Sequence, residues 1–288
     1  MTPTDPKLLD PESSWWAKYR NAESHLQRLD ALYDSYYESQ PFKIEEEPTD
    51  QPEKLAARLH LQPIPQEIPL IVGDILHNLR SALDSLVYEL VTQAAGRALT
   101  ADEERACQFP ISPDPAAFEE FFKHKTRDRI TPSNLRDIIR SVQPFYWLEV
   151  AKRSNVESAH DLDYEAHYRH SPLGELGYMS NIDKHRRLAL TAWRPNMVWW
   201  GFNGESNRQW LPGDGKFEDG SIIGYIVGTD EHGSVVMYDF NLTLPDLPAY
   251  ADPLVTRQDV VTLATRWVQA TNTIINQLIQ YWHVRKPT

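Results

Sequence analysis

The sequence predicts an α+β fold, a four-helix-bundle-like helical core packed beside an antiparallel β-sheet, and three observations predict it. Four segments, near 15–36, 68–95, 173–182 and 260–278, place apolar residues at helical steps of three and four. Two other regions, 42–61 and 188–244, alternate apolar with polar residues. Turn pairs punctuate the second of them: Asn203-Gly204, Asp214-Gly215, Asp219-Gly220 and His232-Gly233. Helices with one apolar stripe must bury it against each other, and a sheet with one apolar face needs a cover, so bundle and sheet belong together.

Residues 1–12 read as an N-terminal tail and 13–288 as a single α+β domain. Ser13 or Ser14 is placed to cap a first helix whose Trp15, Tyr19, Ala22, Leu26, Leu29, Tyr33 and Tyr36 form one seam, ended by Pro41. Phe42, Ile44 and Glu46 alternate with Lys43 and Glu45. After a turn at 48–52, Leu55, Ala57, Leu59 and Leu61 alternate with Ala56, Arg58 and His60, which predicts a half-buried hairpin. The strongest helical signal covers 68–95, with Val72, Leu76, Leu79, Leu83, Leu86 and Leu90 on one face.

A loop at Cys107-Gln108-Phe109-Pro110-Ile111 leads to two shorter expected helices, near 115–124 and 132–142, the second ended by Pro144. Residues 150–170 are polar, His-rich and aperiodic, and read as a mobile surface loop. Leu173, Leu176, Met179 and Ile182 mark the next helix. It must stop near Arg186, because Leu188, Leu190 and Ala192 then alternate with Arg187, Ala189 and Thr191. Strands near 197–202, 222–227 and 235–244 follow as one antiparallel sheet, with Val236, Tyr238, Phe240, Leu242 and Leu244 on one face. Thr256 and Asp259 have capping-box spacing ahead of Val260, Leu263, Trp267, Ala270, Ile274 and Leu278.

A formal charge of −12 sets the chain against nonspecific attachment to nucleic acid or anionic membrane. A local basic groove stays open at Lys123, Lys125, Arg127 and Arg129, or at Lys184, Arg186 and Arg187. Cys107 is the one cysteine, which excludes an intrachain disulfide and any C-x-x-C motif. The first fourteen residues lack an apolar signal core, and no stretch approaches the ~18 apolar residues of a membrane span. The expected compartment is the cytoplasm. Nine Trp and thirteen Tyr fill a core or face pockets and subunit contacts, and the latter use predicts a homodimer.

On the 68–95 helix, a polar stripe of Asp74, His77, Ser81, Asp84 and Tyr88, with Arg80 at its edge, lies opposite the apolar seam. Arg80 and Asp84 form an i,i+4 pair. Such a stripe serves equally as a solvated face with one salt bridge or as a binding or catalytic surface. A second constellation, Asp183-Lys184-His185-Arg186-Arg187, sits where a helix ends, and cations there complement the unpaired carbonyls. If it faces the stripe, His77, Arg80, Asp84 and His185 become catalytic candidates, with Asp74, Tyr88, Asp183, Lys184 and Arg186 as binding residues, suited to phosphate or acid–base chemistry.

His160, Asp163, His167 and His170, or His77 with His185, are ligand-capable types, but their spacing matches no metal signature. There is no G-x-S-x-G, Walker-type G-x-x-x-x-G-K or H-E-x-x-H motif, so no metal or other cofactor is assigned.

The strings Gly73-Asp74-Ile75-Leu76-His77-Asn78-Leu79-Arg80-Ser81-Ala82-Leu83-Asp84 and Asn181-Ile182-Asp183-Lys184-His185-Arg186, with Gln143-Pro144-Phe145, resemble the signature segments of a family of uncharacterised bacterial proteins of this length. That resemblance carries no activity with it. More distantly, a polar Arg on a long bundle helix resembles HEPN-like domains, many of which are metal-independent RNases using Arg, four to six residues, then His. The positions after Arg80 where that histidine would fall hold Ser85, Leu86 and Val87. Arg20 with His25 and Arg153 with His160 keep the spacing, as chance alone provides at this composition.

The expected function is a noncatalytic binding or assembly module. The alternatives are a HEPN-like protein acting on RNA or a nucleotide, with a role in defence, and a metal-dependent enzyme with His ligands.

Overall fold

The computed structural model describes residues 13–155, 163–185, 191–193, 198–202, 209–213, 219–228, 234–238, 241–243 and 259–285. The first apolar seam becomes helix α1 (Ser14–Glu38), which buries Trp15, Tyr19, Ala22, Leu29 and Tyr36, with Leu26 and Tyr33 packed partly buried beside them. Ser13 holds the N-cap position without a capping side-chain bond. Strands β1 (Phe42–Pro48) and β2 (Lys54–Leu61) form the predicted antiparallel hairpin, with Ile44 opposite Leu59.

Helix α2 (Glu67–Ala95) buries thirteen residues, from Ile68 to Val91, and ends where Gly96 turns left-handed at φ 62°. It is the hub of the bundle, in contact with α1 and with both later long helices.

Between the long helices the chain is more helical than its periodicity suggests. Helices α3 (Ala101–Ala106), α4 (Pro115–Phe122), α5 (Lys125–Ile130), α6 (Ser133–Ser141), α7 (Pro144–Arg153) and α8 (Tyr164–His170) follow in turn. Helix α6 ends at Ser141, ahead of Pro144 as expected, and Pro144 also opens α7, because a first-turn residue needs no N–H partner and proline already has the right φ. The expected loop over 150–170 is corrected. Helix α7 runs to Arg153, and α8 is started by Asp163, whose carboxylate accepts the Ala166 N–H at 2.5 Å. A seven-residue helix is too short for a periodic signal, and residues 156–162, with His160, lie outside the described residues.

Helix α9 (Pro172–His185) closes the bundle's third wall. The later strands are β3 (Thr191–Trp193), β4 (Val198–Phe202), β5 (Gln209–Pro212), β6 (Ile222–Val227), β7 (Ser234–Tyr238) and β8 (Asn241–Thr243). Helix α10 (Val260–Arg285) ends the described chain. Asp259 accepts the Thr262 N–H at 2.8 Å and so caps α10 by itself, while Thr256 lies outside the described residues.

Among the described residues the strands do not make one sheet. β6 pairs with the free edge of β2, giving a four-stranded antiparallel sheet in the order β1-β2-β6-β5, while β3-β8 and β4-β7 are separate two-stranded pairs. Gly224 on β6 is required, because the Trp210 indole lies across it and a Cβ there would fall 1.7 Å from the ring. The predicted apolar face at Val236, Tyr238, Phe240, Leu242 and Leu244 lies outside the residues whose side chains are described.

One continuous core joins α1, α2, α9 and α10 with the short helices, and a small satellite core of Ala57, Leu59 and Ile223 sits in the sheet. Trp267 and Trp282 of α10 are fully buried, each worth roughly 1.5–3 kcal/mol by analogy with other large apolar side chains. Trp282 Nε1 donates to Gln93 Oε1 at 3.0 Å, tying α10 to α2. Trp267 Nε1 donates to Glu175 Oε2 at 2.9 Å, and Arg266 stands 3.6 Å from the other oxygen, tying α10 to α9. Burial pushes the Glu175 carboxyl up to about 7, against the pull of Arg266 and Trp267.

Candidate functional site

Helix α2 turns its polar stripe toward α9 and the segment 107–113. Asp74 and His77 are exposed, whereas Arg80, Ser81, Asp84 and Tyr88 are half-buried. The helices come close at Gly73, where a Cβ would lie 2.8 Å from Asp183 Oδ1. Asp183 therefore sits beside the N-terminal part of the stripe. Burial raises its pKa, Asp74 raises it further and His77 opposes both. The two motif segments predicted to meet do so through Gly73 and Asp183. His185 ends α9 with its side chain outside the described residues, as is Arg186, so their placement toward Arg80 is outside them too.

Farther along α2, Arg80 and Asp84 are bound to backbone. Arg80 Nη2 donates to the Phe109 carbonyl at 2.5 Å and lies 3.3 Å from Asp84 Oδ1, and that oxygen accepts the Phe109 N–H at 2.8 Å. Burial raises the Asp84 pKa, opposed by Arg80, the Phe109 N–H, Lys184 and Lys18. Gln143, fully buried, continues the grip. Its Nε2 donates to the Pro110 carbonyl at 2.9 Å, and its Oε1 accepts the Ser112 N–H at 3.0 Å. Two of the three sequence segments singled out above, 73–84 and 143–145, thus converge on one stretch of backbone. Buried polar groups are costly when unpaired, and here each finds its partner.

This held segment forms one wall of a cleft of about 320 Å³, a volume at the lower end for small-ligand sites. Arg80 and Lys184 bring positive charge to it, Ser112, Tyr168, Ser180 and Asn181 bring hydroxyl and amide groups, and Phe109, Ile111 and Phe121 bring apolar surface. Lys184 is exposed and has no hydrogen bond or ion pair among the described residues. Phe121 carries the Arg127 guanidinium 4.0 Å from its ring centre. Among the described lining residues there is no carboxylate, imidazole or thiol.

No family model matches the sequence, and neither a curated protein nor a solved structure does. The chemistry must be taken from the geometry. Two cations and several neutral donors around a concave space favour an anion, since charged hydrogen bonds are roughly twice as strong as neutral ones. Apart from Arg80, the described lining residues able to take a proton-transfer role are Lys184 and Tyr168. Burial raises the Tyr168 pKa, and the Cys107 thiol, outside the cleft, is pushed up by burial to about 11.

The remaining candidates sit apart. Tyr88 Oη donates to Glu104 Oε1 at 3.3 Å, outside the cleft. Asp74, His77 and Asp183 do not line it. Among the described residues no three His, Cys, Asp or Glu side chains gather as metal ligands. His167 bonds to the Pro144 backbone instead. Sequence reasoning missed Tyr168, Ser180, Asn181 and Phe121. The first and last had no signal, but Gly177, Ser180, Asn181 and Lys184 are spaced three, one and three apart, which marks one helix face.

Proposed function

We propose that the chain is a noncatalytic binding module that holds a small phosphate-bearing anion in the cleft between α2, α9 and the 107–113 segment. The observation that carries this is the lining, with Arg80 and Lys184 as its charges and no carboxylate, imidazole or thiol among the described residues. Arg80 is already held by Phe109 and Asp84, so its guanidinium is fixed before a ligand arrives, which reduces the ordering cost of binding.

A nucleotide is the ligand class that the second reading favours, because Phe121 places an aromatic ring in the same cleft as the cations. The assembly is proposed to be a homodimer. Large apolar side chains left at the surface support it, Leu70 at 60% exposure and Val284 at 78%. No helix among the described residues is long and apolar enough to cross a membrane, and we place the protein in the cytoplasm on its single cysteine.

Calorimetric titration with inorganic phosphate and with adenosine monophosphate tests the binding. Saturable binding is expected, weakened about tenfold or more in Lys184→Ala, or at least 1.4 kcal/mol. Equal affinity in a folded Lys184→Ala protein overturns the site. Incubation with a labelled RNA oligonucleotide tests the noncatalytic half, and cleavage that disappears in Arg80→Lys overturns it. Light scattering that reports a monomer at high concentration removes the dimer.

A further inference from the structure

A second cavity, of about 420 Å³, opens where α7, α8, α9 and α10 meet. Its floor and walls come from Val142, Pro144, Leu173, Ala270 and Ile274, and Trp147 stands at its rim, half exposed. Among the described residues, the polar members of the lining, His167, His170, Ser171, Thr273 and Gln277, include no carboxylate, ammonium or guanidinium. Both imidazoles have their pKa lowered, chiefly by burial, so the described lining is uncharged at neutral pH. In a chain of net charge −12, a concave surface with no formal charge is selective in itself, because a charged guest would lose its hydration there without a counter-charge.

The shape of the guest follows from what faces it. An indole, two imidazoles and the rings of Pro144 and Pro172 are flat or rigid surfaces, and Ile274 and Leu173 close the deep end. Flat walls favour a flat guest, which stacks against aromatic side chains without ordering a flexible chain. The cleft described above has none of these residues in its lining, so the two cavities are separate.

We infer that the cavity between α7, α8, α9 and α10 is a ligand site for an uncharged, flat aromatic molecule of one or two fused rings. The site is independent of the anion cleft. Its anchoring contacts are Trp147 at the rim and Leu173 with Ile274 beneath, and the histidines, Thr273 and Gln277 supply hydrogen bonds to a single polar substituent.

Titration of the intact chain with 2-naphthol, followed by fluorescence, tests it. One saturable site per chain is expected, with at least tenfold weaker binding of 2-naphthoate, which has similar rings and a charge. Ala270→Phe fills the floor, and Thr273→Trp, at an exposed rim position, blocks the mouth with less risk to the core. Binding at least tenfold weaker in either variant, with an unchanged circular dichroism spectrum, supports the site. Lys184→Ala is expected to bind 2-naphthol as the wild type does. Absence of saturable binding, equal affinity for the charged analogue, or unchanged affinity in both filled variants overturns it.

Discussion

Arg80 and Asp84, one turn apart on α2, take opposite backbone groups of the same residue: the guanidinium meets the Phe109 carbonyl at 2.5 Å and the carboxylate meets its N–H at 2.8 Å. Removing the carboxylate leaves a buried N–H without a partner. Asp84→Ala is expected to lower stability by about 2 kcal/mol, and Asp84→Asn, which keeps an acceptor, by less. Urea denaturation measures both. Two equal losses would show that the side-chain charge, and not the bond to Phe109, sets the contribution.

Gln143 serves the same segment from the other side. Gln143→Ala leaves the Pro110 carbonyl and the Ser112 N–H unpaired in a fully buried place. A loss of about 3 kcal/mol is expected, from two orphaned groups at about 1–3 kcal/mol each, less what an entering water returns. A thermal midpoint within a degree of wild type would contradict this.

Glu175 makes stability depend on pH. Its folded pKa of about 7 stands above the ordinary value of 4.5, so the folded protein keeps a proton that the unfolded chain has released. Below pH 4.5 both states are protonated and there is no penalty. As pH rises from 4.5 to 7 stability falls, by roughly 3 kcal/mol from this group, and then levels off. Glu175→Gln, which can still accept from Trp267, is expected to remove that slope and to be more stable than wild type at pH 8. Parallel slopes in urea titrations of the two proteins would disprove it.

Two glycines on the α9 contacts separate tolerable from intolerable crowding. A Cβ at Gly73 meets the Asp183 carboxylate, the mobile end of a side chain, at 2.8 Å, whereas one at Gly174 meets the Tyr168 carbonyl at 1.9 Å. Gly73→Ala is expected to change stability by less than about 1 kcal/mol, because better helix propensity offsets the push. Gly174→Ala forces α8 away from α9 and is expected to lose about 3 kcal/mol. Comparable midpoints in guanidinium chloride would refute the ranking.

The long helices were legible because each carries an apolar stripe through several turns. The α2 seam read at 68–95 differs from Glu67–Ala95 by one residue. Short helices were hidden for the converse reason. α3 is held by Thr100 and Glu103 in a capping box, a local signal at two positions, and α8 by Asp163 alone. The meeting of the 73–84 and 181–186 segments was readable as motifs, but the purpose of Arg80 and Asp84 was not. Their partner, Phe109, is 29 and 25 positions away, and sequence spacing reveals neighbours only along one element. Tyr168 and Phe121 reach the cleft by tertiary packing, which leaves no local trace.

The pairing of β2 with β6 has a temporal side. Arg58 donates to the Gly220 carbonyl across 162 positions, so the hairpin emerges from the ribosome with its inner edge unmatched until well over half the chain has been made. An open strand edge invites pairing with other chains, and contacts of such separation form slowly. Nascent or truncated chains that stop short of Ile222 would therefore be the aggregation-prone form of this protein, while the bundle segments between could already be helical.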